Sequence, residues 1–580
     1  MPRNIDDLID TYLARNTDPG VRPKGETPPA QQSIDDLRGN RVEAFIDGKA
    51  YFGAIDDEID AFLASSVPGK YFYLSAWWLG LVSVGNVDVK IGGLADALPK
   101  NLNIPNEWSR YVNLPEFTLP KSGKTLHSRL VDLSAAGVDV RVLAWTSPFA
   151  PKYKPVADRT DAIPDLNLQT ILSVDSLRRA SGTLAGRVLL NTLAHPFGGA
   201  HLKLVICGDR DAMRAYTGGF DPVQNRLDPV TDTDGWHDVA VRVQGSAAAA
   251  IYAFFQQLWN EQCKRSAETF YLNGAEIKSN PPSAQTIDDR SAVRPISNAD
   301  QYVQVLRTVP QMNFSTAGPP QLADNRVLRW LLANLGGFKR PPLSFATAGI
   351  FEFKVALKKA IENAERYVFI ADQAFQSQEI MDWLNARLRK RPSLRVILLY
   401  GADPADPPSG LFAEAINNHL VKDDVGLDRT GLGLPVGVAC YGWPGVVVHS
   451  KVTIVDDVWC AVGSANCMRR SLYTDIELSV GVVDATDVTF AQRLRRDLWA
   501  RYCGIPLPQD GDLMDFYENE RTALLDINKA LGIWDTDWDA RPNGVSLRSS
   551  IKRFALPVAV TIPFSQQAYD DQDPDSRTTF

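Results

Sequence analysis

Apolar residues recur along the chain at two spacings, and their alternation predicts strands separated by helices. Early in the chain, RVEAFIDG (41–48) and KYFYLSAWW (70–78) have the pattern of buried strands. AIDDEIDAFLASS (54–66), between them, has apolar residues at helical spacing, and a further helix at about 124–136 precedes the strand VDVRVLAW (138–145). Short apolar runs that alternate with helices favour an α/β fold with mixed sheets.

The same order of elements returns in the second half of the chain. IFEFKVALKKAIENAE (350–365) predicts an amphipathic helix, and RYVFIADQAF (366–375) a buried strand. Another helix and the strand LRVILLYG (394–401) follow. This recurrence predicts an internal duplication, with two pseudo-symmetric α/β/α halves instead of a short solenoid repeat.

Breaks in composition suggest where the units begin and end. We expect a polar leader of low order with one short helical pattern (1–40), followed by an N-terminal half (41–270). An irregular connection with some helix at VLRWLLANL (271–345) then leads to a C-terminal half (346–510). A peripheral segment with a disordered tail (511–580) follows. Packed structure is expected to begin at Val42.

Composition and charge narrow the functional classes. The 580 residues carry a net charge of -8, and an acidic protein does not attract a polyanion, so nucleic acid is an unlikely partner. No apolar run reaches the length of a membrane span, and the N-terminus lacks a Sec signal pattern. The six cysteines have no CxxC spacing and are expected to be reduced core thiols. We expect a cytoplasmic protein, or one exported by a Sec-independent route.

Two segments share a pattern that carries chemistry. AHLKLVICGDRDAMRAYTGGFD (200–221) and VHSKVTIVDDVWCAVGSAN (448–466) each contain His-x-Lys, four mostly aliphatic residues, an acidic turn, a second strand and a small-residue turn. The histidines, His201 and His449, are 248 residues apart. Residues two apart in a strand point to the same face, so each histidine projects together with its lysine, Lys203 or Lys451.

The residues around each motif suggest supporting roles. Asp209 and Asp456 lie in the acidic turns. The small-residue turns place Gly219 and Asp221, and likewise Ser464 and Asn466, where phosphate or substrate is expected to bind.

A strand follows each motif and begins near a carboxylate, which is Asp238 in the first half and Glu477 in the second. Such a carboxylate can bind the far nitrogen of a catalytic histidine and fix its tautomer.

This set of side chains suits cleavage of a phosphodiester. The reaction needs a nucleophile, a proton donor for the leaving alkoxide, and cations for the phosphoryl oxygens. Two histidines supply the first two roles if one is neutral and one protonated, and two lysines supply the third. The residues call for no cofactor, and no metal-ligand motif such as HExxH is present.

The two copies of HxK(x)4D with GSxN resemble the signature of the phospholipase D superfamily, and the resemblance spans roughly residues 41–510. The second copy fits throughout. In the first copy Gly208 stands at the position of the motif aspartate, with Asp209 one residue later, and Asp221 stands where the second copy has Asn466. The resemblance implies a bilobal fold whose halves share one active site, so that no oligomer is required to complete it.

The resemblance also implies a mechanism, a two-step reaction through a phosphohistidine with His201 as nucleophile and His449 as general acid and base. The segments GGFDPVQNRLD and WHDV resemble the longer, phospholipase-type members. The expected function is hydrolysis of glycerophospholipids at a membrane surface to phosphatidate and a head-group alcohol, with transphosphatidylation from the same intermediate. The alternatives are a metal-independent nuclease of the same superfamily and a catalytically weak lipid- or phosphate-binding protein.

Several neighbouring residues have two interpretations. Trp77 and Trp78, and likewise Asp372 and Gln373, end matching strands and are as compatible with packing as with lining the site. For His237 a structural role is favoured over a place in the site. Asp456 is expected to be a structural hydrogen-bond acceptor instead of a catalyst.

Overall fold

Two mixed β-sheets form the centre of the protein, as seen in a computed structural model. The described residues are 4–15, 18, 38–83, 115–146, 166–194, 198–229, 235–272, 275–288, 296–297, 299–311, 341–375, 377–400, 437–443, 446–502, 521–528, 530 and 552–553.

The helices among these residues are α1 (Ile5–Tyr12), α2 (Gly48–Ala64), α3 (Leu126–Ala135), α4 (Leu166–Ala180), α5 (Ser246–Lys264), α6 (Glu352–Asn363), α7 (Gln378–Lys390), α8 (Arg469–Tyr473) and α9 (Phe490–Tyr502). The strands of the N-terminal half are β1 (Arg41–Ile46), β2 (Tyr71–Ala76), β3 (Asp139–Trp145), β4 (Val188–Asn191), β5 (Leu204–Gly208), β6 (Met213–Gly218), β7 (Trp236–His237) and β8 (Val239–Gln244). The later strands are β9 (Thr269–Leu272), β10 (Ala275–Lys278), β11 (Tyr302–Val309), β12 (Ile350–Phe351), β13 (Tyr367–Asp372), β14 (Arg395–Tyr400), β15 (Val438–Gly442), β16 (Val447–Val448), β17 (Lys451–Val455), β18 (Trp459–Gly463), β19 (Glu477–Val483) and β20 (Lys552–Arg553).

The two large sheets have the same topology. The first has the order β1-β8-β6-β5-β2-β3-β4, and its last three strands are parallel. The second contains the order β11-β19-β18-β17-β13-β14-β15, again ending in three parallel strands, with β12 and β20 added at its edges. Strand-by-strand equivalence over seven strands confirms the α/β fold with two pseudo-symmetric halves. Each His-x-Lys motif adjoins the same strand of its sheet, β5 or β17.

Three apolar cores hold these layers together. The central core combines inward-facing side chains of both sheets, such as Leu204 and Val241 from the first and Val452 and Val480 from the second. One outer core lies under α2, α3 and α4, and the other under α6 and α7. Because the sheets share their central core, the two halves are packed against each other over their inner faces.

The predicted strands and helices of both halves are present as β1, α2, β2, α3, β3, α6, β13, α7 and β14. The irregular connection expected at 271–345 is wrong in part, because β11 pairs with β19 over seven residue pairs and belongs to the second sheet. The helix expected at VLRWLLANL and the last dozen residues lie outside the described part of the chain.

The expectation that packed structure begins at Val42 is also wrong. Leu8, Ile9 and Tyr12 of α1 are buried in the outer core of the C-terminal half. The backbone after the helix is fixed too, because Ala14 exchanges two hydrogen bonds with the amide of Gln304 in β11, at 2.9 and 2.6 Å. The start of the chain therefore packs on the half that is farther along the sequence.

Replacing Ile9 by alanine tests this packing. We expect Ile9→Ala to lower the free energy of unfolding by about 2 kcal/mol or more, because it removes buried methyl groups and leaves a cavity. Asp7→Ala on the exposed side of the same helix is the matched control. Denaturant unfolding measures both variants, and equal stability of the two would show that α1 is not packed.

Candidate active site

The strand alternation that the sequence predicted directs His201 and Lys203 to one face. Leu202, Leu204 and Ile206 are buried in the central core, so the intervening residues point the other way. The Lys203 ammonium donates to the carbonyl oxygen of His201 at 2.8 Å. It also lies 5.6 Å from the centroid of the Trp77 ring, which meets the His201 ring edge-on.

The second motif repeats this arrangement. Lys451 is buried and donates to the carbonyl oxygen of His449, as Lys203 does to that of His201. The ring centroids of Trp236 and His449 are 4.7 Å apart. Both motifs therefore pair an imidazole with an ammonium group beside an indole.

The two motifs meet in one site. Burial, followed by the positive charges of Lys203 and Lys451, lowers the pKa of His201 well below its ordinary value. The pKa of His449 is also well below that value, because of burial first and then Lys451, Arg226, Lys203 and His201. Each imidazole thus interacts with the lysines of both motifs.

A carboxylate from the opposite half holds each histidine. His201 Nδ1 lies 3.1 Å from Glu477 Oε1 and 3.2 Å from Oε2, whereas His449 Nδ1 lies 2.6 Å from Asp238 Oδ2. The backbone hydrogen bonds also connect the two halves. The His201 N–H donates to the Ile476 carbonyl oxygen at 2.9 Å, and the His449 N–H donates to the His237 carbonyl oxygen at 2.8 Å. Each histidine is therefore fixed at both backbone and ring by one dipeptide of the other half.

The small-residue turns contact these orienting carboxylates. A Cβ on Gly219 would collide with both carboxylate oxygens of Asp238, so only glycine leaves room for that side chain. At the equivalent position the Ser464 hydroxyl donates to Glu477 Oε2 at 2.5 Å, and the Ser464 carbonyl accepts from His201 Nδ1 at 3.0 Å. Ser471 donates to the other oxygen of Glu477 at 2.6 Å.

Burial is the main influence on the pKa of both carboxylates. It raises the pKa of Asp238 to about 6, although Lys451 and the Val239 N–H act in the opposite direction. It raises the pKa of Glu477 to about 7 against the hydrogen bonds from Ser464 and Ser471.

Asp221 and Asn466 are equivalent in sequence but differ in their contacts. Asp221 is fully buried, and its Oδ1 accepts hydrogen bonds from the backbone N–H groups of Trp77 and Trp78, both at 3.0 Å. Its Oδ2 lies 3.5 Å from Lys203 Nζ. A buried carboxylate repels a phosphate, so these contacts suit a partner of Lys203 better than the expected substrate-binding role. Asn466 is buried as well, and its Oδ1 has no hydrogen-bond partner among the described residues.

The motif aspartates lie away from the histidines. Asp456 directly follows β17, which begins at Lys451, and is therefore roughly 17 Å from Lys451 along the strand at ~3.4 Å per residue. Its carboxylate accepts from the backbone N–H groups of Glu365, Arg366 and Tyr367 at 2.6–2.8 Å. Among the described residues, the Asp209 carboxylate accepts only within its own turn, from the backbone N–H groups of Asp211 and Ala212. Both aspartates support the fold, and neither is brought into the site.

The irregularity of the first motif has a steric cause. A side chain on Gly208 would collide with the carbonyl oxygen of Ala212 and the hydroxyl group of Tyr71. The second half also has a tyrosine at this register, but the Tyr367 hydroxyl group donates to Asp457 at 2.7 Å, which leaves the neighbouring position to the Asp456 carboxylate.

Other residues near the site were left open or overlooked by the sequence analysis. Asp372 ends β13 directly opposite Lys451 in the sheet. Arg226 is buried with its guanidinium over the Trp236 ring. The sequence shows Arg226 in the segment GGFDPVQNRLD, but no pattern there links this arginine to Trp236.

His237 has the structural role that was favoured. Its Nδ1 lies 2.7 Å from Asp47 Oδ1, and its Nε2 lies 3.0 Å from the Tyr502 hydroxyl group. Asp47 is also paired with Arg501 at 2.9 Å. This buried network ties β7, which directly precedes Asp238, to α9 of the other half.

Across the described residues, no group of three or more His, Cys, Asp and Glu side chains is arranged to hold a metal ion. The helices in this part of the chain are also too short or too polar to cross a membrane.

The fold and site define a class of protein, namely a duplicated α/β protein with one composite site of two His-Lys pairs. Residues 357–501 match the family model described as "Cardiolipin synthase, PLD-like domain". The major cardiolipin synthase ClsA of Bacillus subtilis is 23% identical over 402 residues, which are 65% of each chain. Phospholipase D alpha 4 of Arabidopsis thaliana is 21% identical over 394 residues, 56% of this chain and 46% of the plant protein.

The match thus spans less than two thirds of the length of either relative. Among solved structures, the phosphatidylserine synthase of Haemophilus influenzae aligns over 85% of this chain and 93% of its own, at 11% identity and a TM-score of 0.45. The family model and these relatives support membership of the phospholipase D superfamily.

The two motif aspartates are expected to differ in their effect on stability. Asp456→Ala leaves three backbone N–H groups without their acceptor and is expected to lower the free energy of unfolding by about 2–3 kcal/mol. Asp209→Ala breaks only hydrogen bonds within an exposed turn, at a cost of about 0.5–1 kcal/mol. Denaturant unfolding of both variants measures the difference, and equal losses would contradict the structural role of Asp456.

Proposed function

We propose that the protein is a phospholipase D-type phosphodiesterase that cleaves glycerophospholipids through a phosphohistidine. The intermediate is passed to water, giving phosphatidate, or to an alcohol, giving a transferred phosphatidyl group. The observation that carries the proposal is the pair of imidazoles, each oriented by a buried carboxylate, with two lysines in the same site. These groups supply a nucleophile, an acid and the cations that a phosphodiester needs.

We assign the nucleophile to His201 on the basis of its hydrogen bonds. A carbonyl oxygen only accepts hydrogen bonds, so the contact between Nδ1 and the Ser464 carbonyl requires a proton on Nδ1. The lone pair of a neutral ring is then on Nε2, which is free to attack phosphorus. The low pKa of His201 keeps this ring neutral at pH 7.

We assign general acid and base chemistry to His449. Its 2.6 Å contact with Asp238 has the length of a charge-assisted hydrogen bond, which stabilises an imidazolium. Burial and the nearby cations keep the pKa of the ring low in the free enzyme. A bound phosphodiester adds a negative charge that offsets the lysines, raises this pKa and prepares the ring to protonate the leaving alcohol.

Three observations support a lipid substrate. The relatives are named as cardiolipin synthase and phospholipase D. The net charge of -8 disfavours a nucleic-acid polyanion. Three partly exposed indole rings lie at or beside the two histidines, namely those of Trp77, Trp145 and Trp236. The rings of Trp77 and Trp145 are stacked, with their centroids 5.5 Å apart.

A substrate test compares two phosphodiesters. Purified protein in EDTA is given vesicles of head-group-labelled phospholipid, with and without glycerol, and in parallel plasmid DNA. We expect head-group release, formation of phosphatidylglycerol when glycerol is present, and loss of activity by a factor of about 10³ or more in His201→Ala. Cleavage of DNA alone would assign the protein to the nucleases. Binding of vesicles without release, equal in both proteins, would indicate the lipid-binding alternative.

The roles of the histidines are tested by trapping the intermediate. A phosphatidyl ester of p-nitrophenol has a leaving group that departs without an acid. His449→Ala should therefore release nitrophenol in a burst and accumulate a phosphatidyl group on His201, because no base activates water. His201→Ala should give neither. Mass spectrometry of peptides from the quenched reaction locates the adduct, and an adduct on His449 in the His201→Ala protein would reverse the assignment.

A further inference from the structure

Each half has one buried carboxylate that joins a strand end to a turn next to its lysine, but the two halves supply that carboxylate from different positions. In the first half it belongs to Asp221, in the turn after β6. Its Oδ2 is 3.5 Å from Lys203 Nζ, while its Oδ1 holds the backbone of Trp77 and Trp78 at the end of β2.

In the second half the carboxylate belongs to Asp372, at the end of β13. Asp372 pairs with Lys451 across the β13–β17 ladder and is 1% exposed. Its Oδ1 accepts from the Ala374 N–H at 2.7 Å, and its Oδ2 accepts from the Cys467 N–H at 2.9 Å. Cys467 lies in the turn after β18, which is the counterpart of the turn that carries Asp221.

The strand registers show that these carboxylates are not at equivalent positions. Ser75 pairs with Leu204, so Ala76 stands opposite Lys203, where Asp372 stands opposite Lys451. In sequence, Asn466 is the counterpart of Asp221. The first half therefore has Ala76 with Asp221, and the second has Asp372 with Asn466. In both, a carboxylate bridges the strand end and the turn, but from opposite sides.

We propose that Asp221 and Asp372 are interchangeable positioning residues, and that each lysine of the site requires one buried carboxylate in this bridge, whichever side supplies it. An ammonium group has three N–H donors. One is bonded to the carbonyl oxygen of the preceding histidine, the carboxylate attracts a second, and the third remains for a phosphoryl oxygen.

The number of carboxylates matters because the lysines are buried. Asp238 also acts on Lys451, and the carboxylate of the bridge adds to its effect. Without the bridge carboxylate, desolvation shifts the lysine towards the neutral amine, which does not attract a phosphate. With a second carboxylate in the bridge, the ammonium group is drawn away from the substrate, and a phosphate anion is repelled. One carboxylate in the bridge keeps the lysine both charged and available.

Rebuilding the second half in the manner of the first tests this proposal, which rests on the proposed function for its activity assay. The variants are Asp372→Ala, Asn466→Asp and the double change, with Asp211→Ala as a control at an exposed carboxylate in the β5–β6 turn. Each single change is expected to lower kcat/KM by about 10- to 100-fold through misplacement of Lys451. The double variant should recover to within about threefold of the wild type.

The pH profile separates positioning from simple loss of structure. Burial lowers the pKa of Lys451 to about 8, and Asp238 and Asp372 raise it against that effect. Activity that needs the ammonium form is lost as pH rises through this value. Asp372→Ala should move the loss to lower pH, Asn466→Asp to higher pH, and the double variant back towards the wild type.

Other charges around Lys451 do not change in these variants. The groups that interact with Lys451 or Asp372 are Asp238, Glu477, Lys203 and the thiol of Cys467. A shift in the lysine titration that follows only the exchanged carboxylate is therefore attributable to the bridge.

A readout without substrate keeps this proposal distinct from the proposed function. The 13Cε resonance of Lys451, assigned with Lys451→Arg, reports its titration directly. If the resonance follows the exchange while phospholipid is not cleaved, the proposed function fails and the positioning role stands. If phospholipid is cleaved but the resonance does not move, or the two activity losses add in the double variant, the positioning role is wrong.

The reciprocal exchange, Ala76→Asp with Asp221→Asn, repeats the test in the first half. If the second-half variants do not fold, activity and the titration of Lys203 are measured in these first-half variants instead. Thermal unfolding of every variant establishes which ones are folded before activity is compared.

Discussion

The exchange of carboxylates between the halves is the constraint on which the site depends. Glu477 orients His201, and Asp238 orients His449, so neither half contains a complete catalytic pair. The same dipeptides accept the backbone N–H groups of the two histidines, which fixes the relative position of the sheets at the site. Packing of the inner sheet faces therefore maintains the geometry of the site, because a shift between the sheets would separate each imidazole ring from its carboxylate.

Burial gives these few polar groups their chemical character. Asp238, Glu477, Asp221 and Asp372 are each no more than 1% exposed, and the lysines beside them are almost as deeply buried. An unpaired charge in such surroundings is costly, whereas a balanced set tolerates burial and is held in one arrangement. The lysines offset part of the charge of these carboxylates without a ligand, and a phosphodiester adds a further negative charge that changes the protonation of the imidazoles.

Local patterns predicted the main helices and most of the strands of the two halves, and they singled out the four His and Lys residues that the structure brings together. Alternation through the residues that lead into β5 and β17 directs each histidine and its lysine to one face, independently of the rest of the chain. Which carboxylate meets which histidine is a matter of how two sheets pack, and no local pattern contains it. For the same reason β11 was assigned to an irregular connection, and the short helical pattern of α1 to a leader of low order, since their partners are a strand and a helix far along the chain.

The bridge of Asp221 and Asp372 escaped prediction for a related reason. The comparison of the two motifs aligned Asp221 with Asn466 and showed a difference at one position. Only the strand registers show that Ala76 and Asp372 compensate for it. Position 208 of the first motif shows the same dependence on packing, because the Tyr71 hydroxyl group occupies the space where its side chain would lie, whereas the hydroxyl group of Tyr367 in the second half is bonded to Asp457.

The parallel pairing of β7 with β16 and the bridge between Ala200 and Ile476 have a consequence for the synthesis of the protein. The ribosome delivers Asp238 more than 200 residues before His449, and His201 more than 270 residues before Glu477. During that interval the acid of the N-terminal half has no imidazole to orient, and its imidazole has no carboxylate. The candidate site is therefore complete only after Glu477 has been synthesised, and a product that ends before this residue lacks the carboxylate partner of His201.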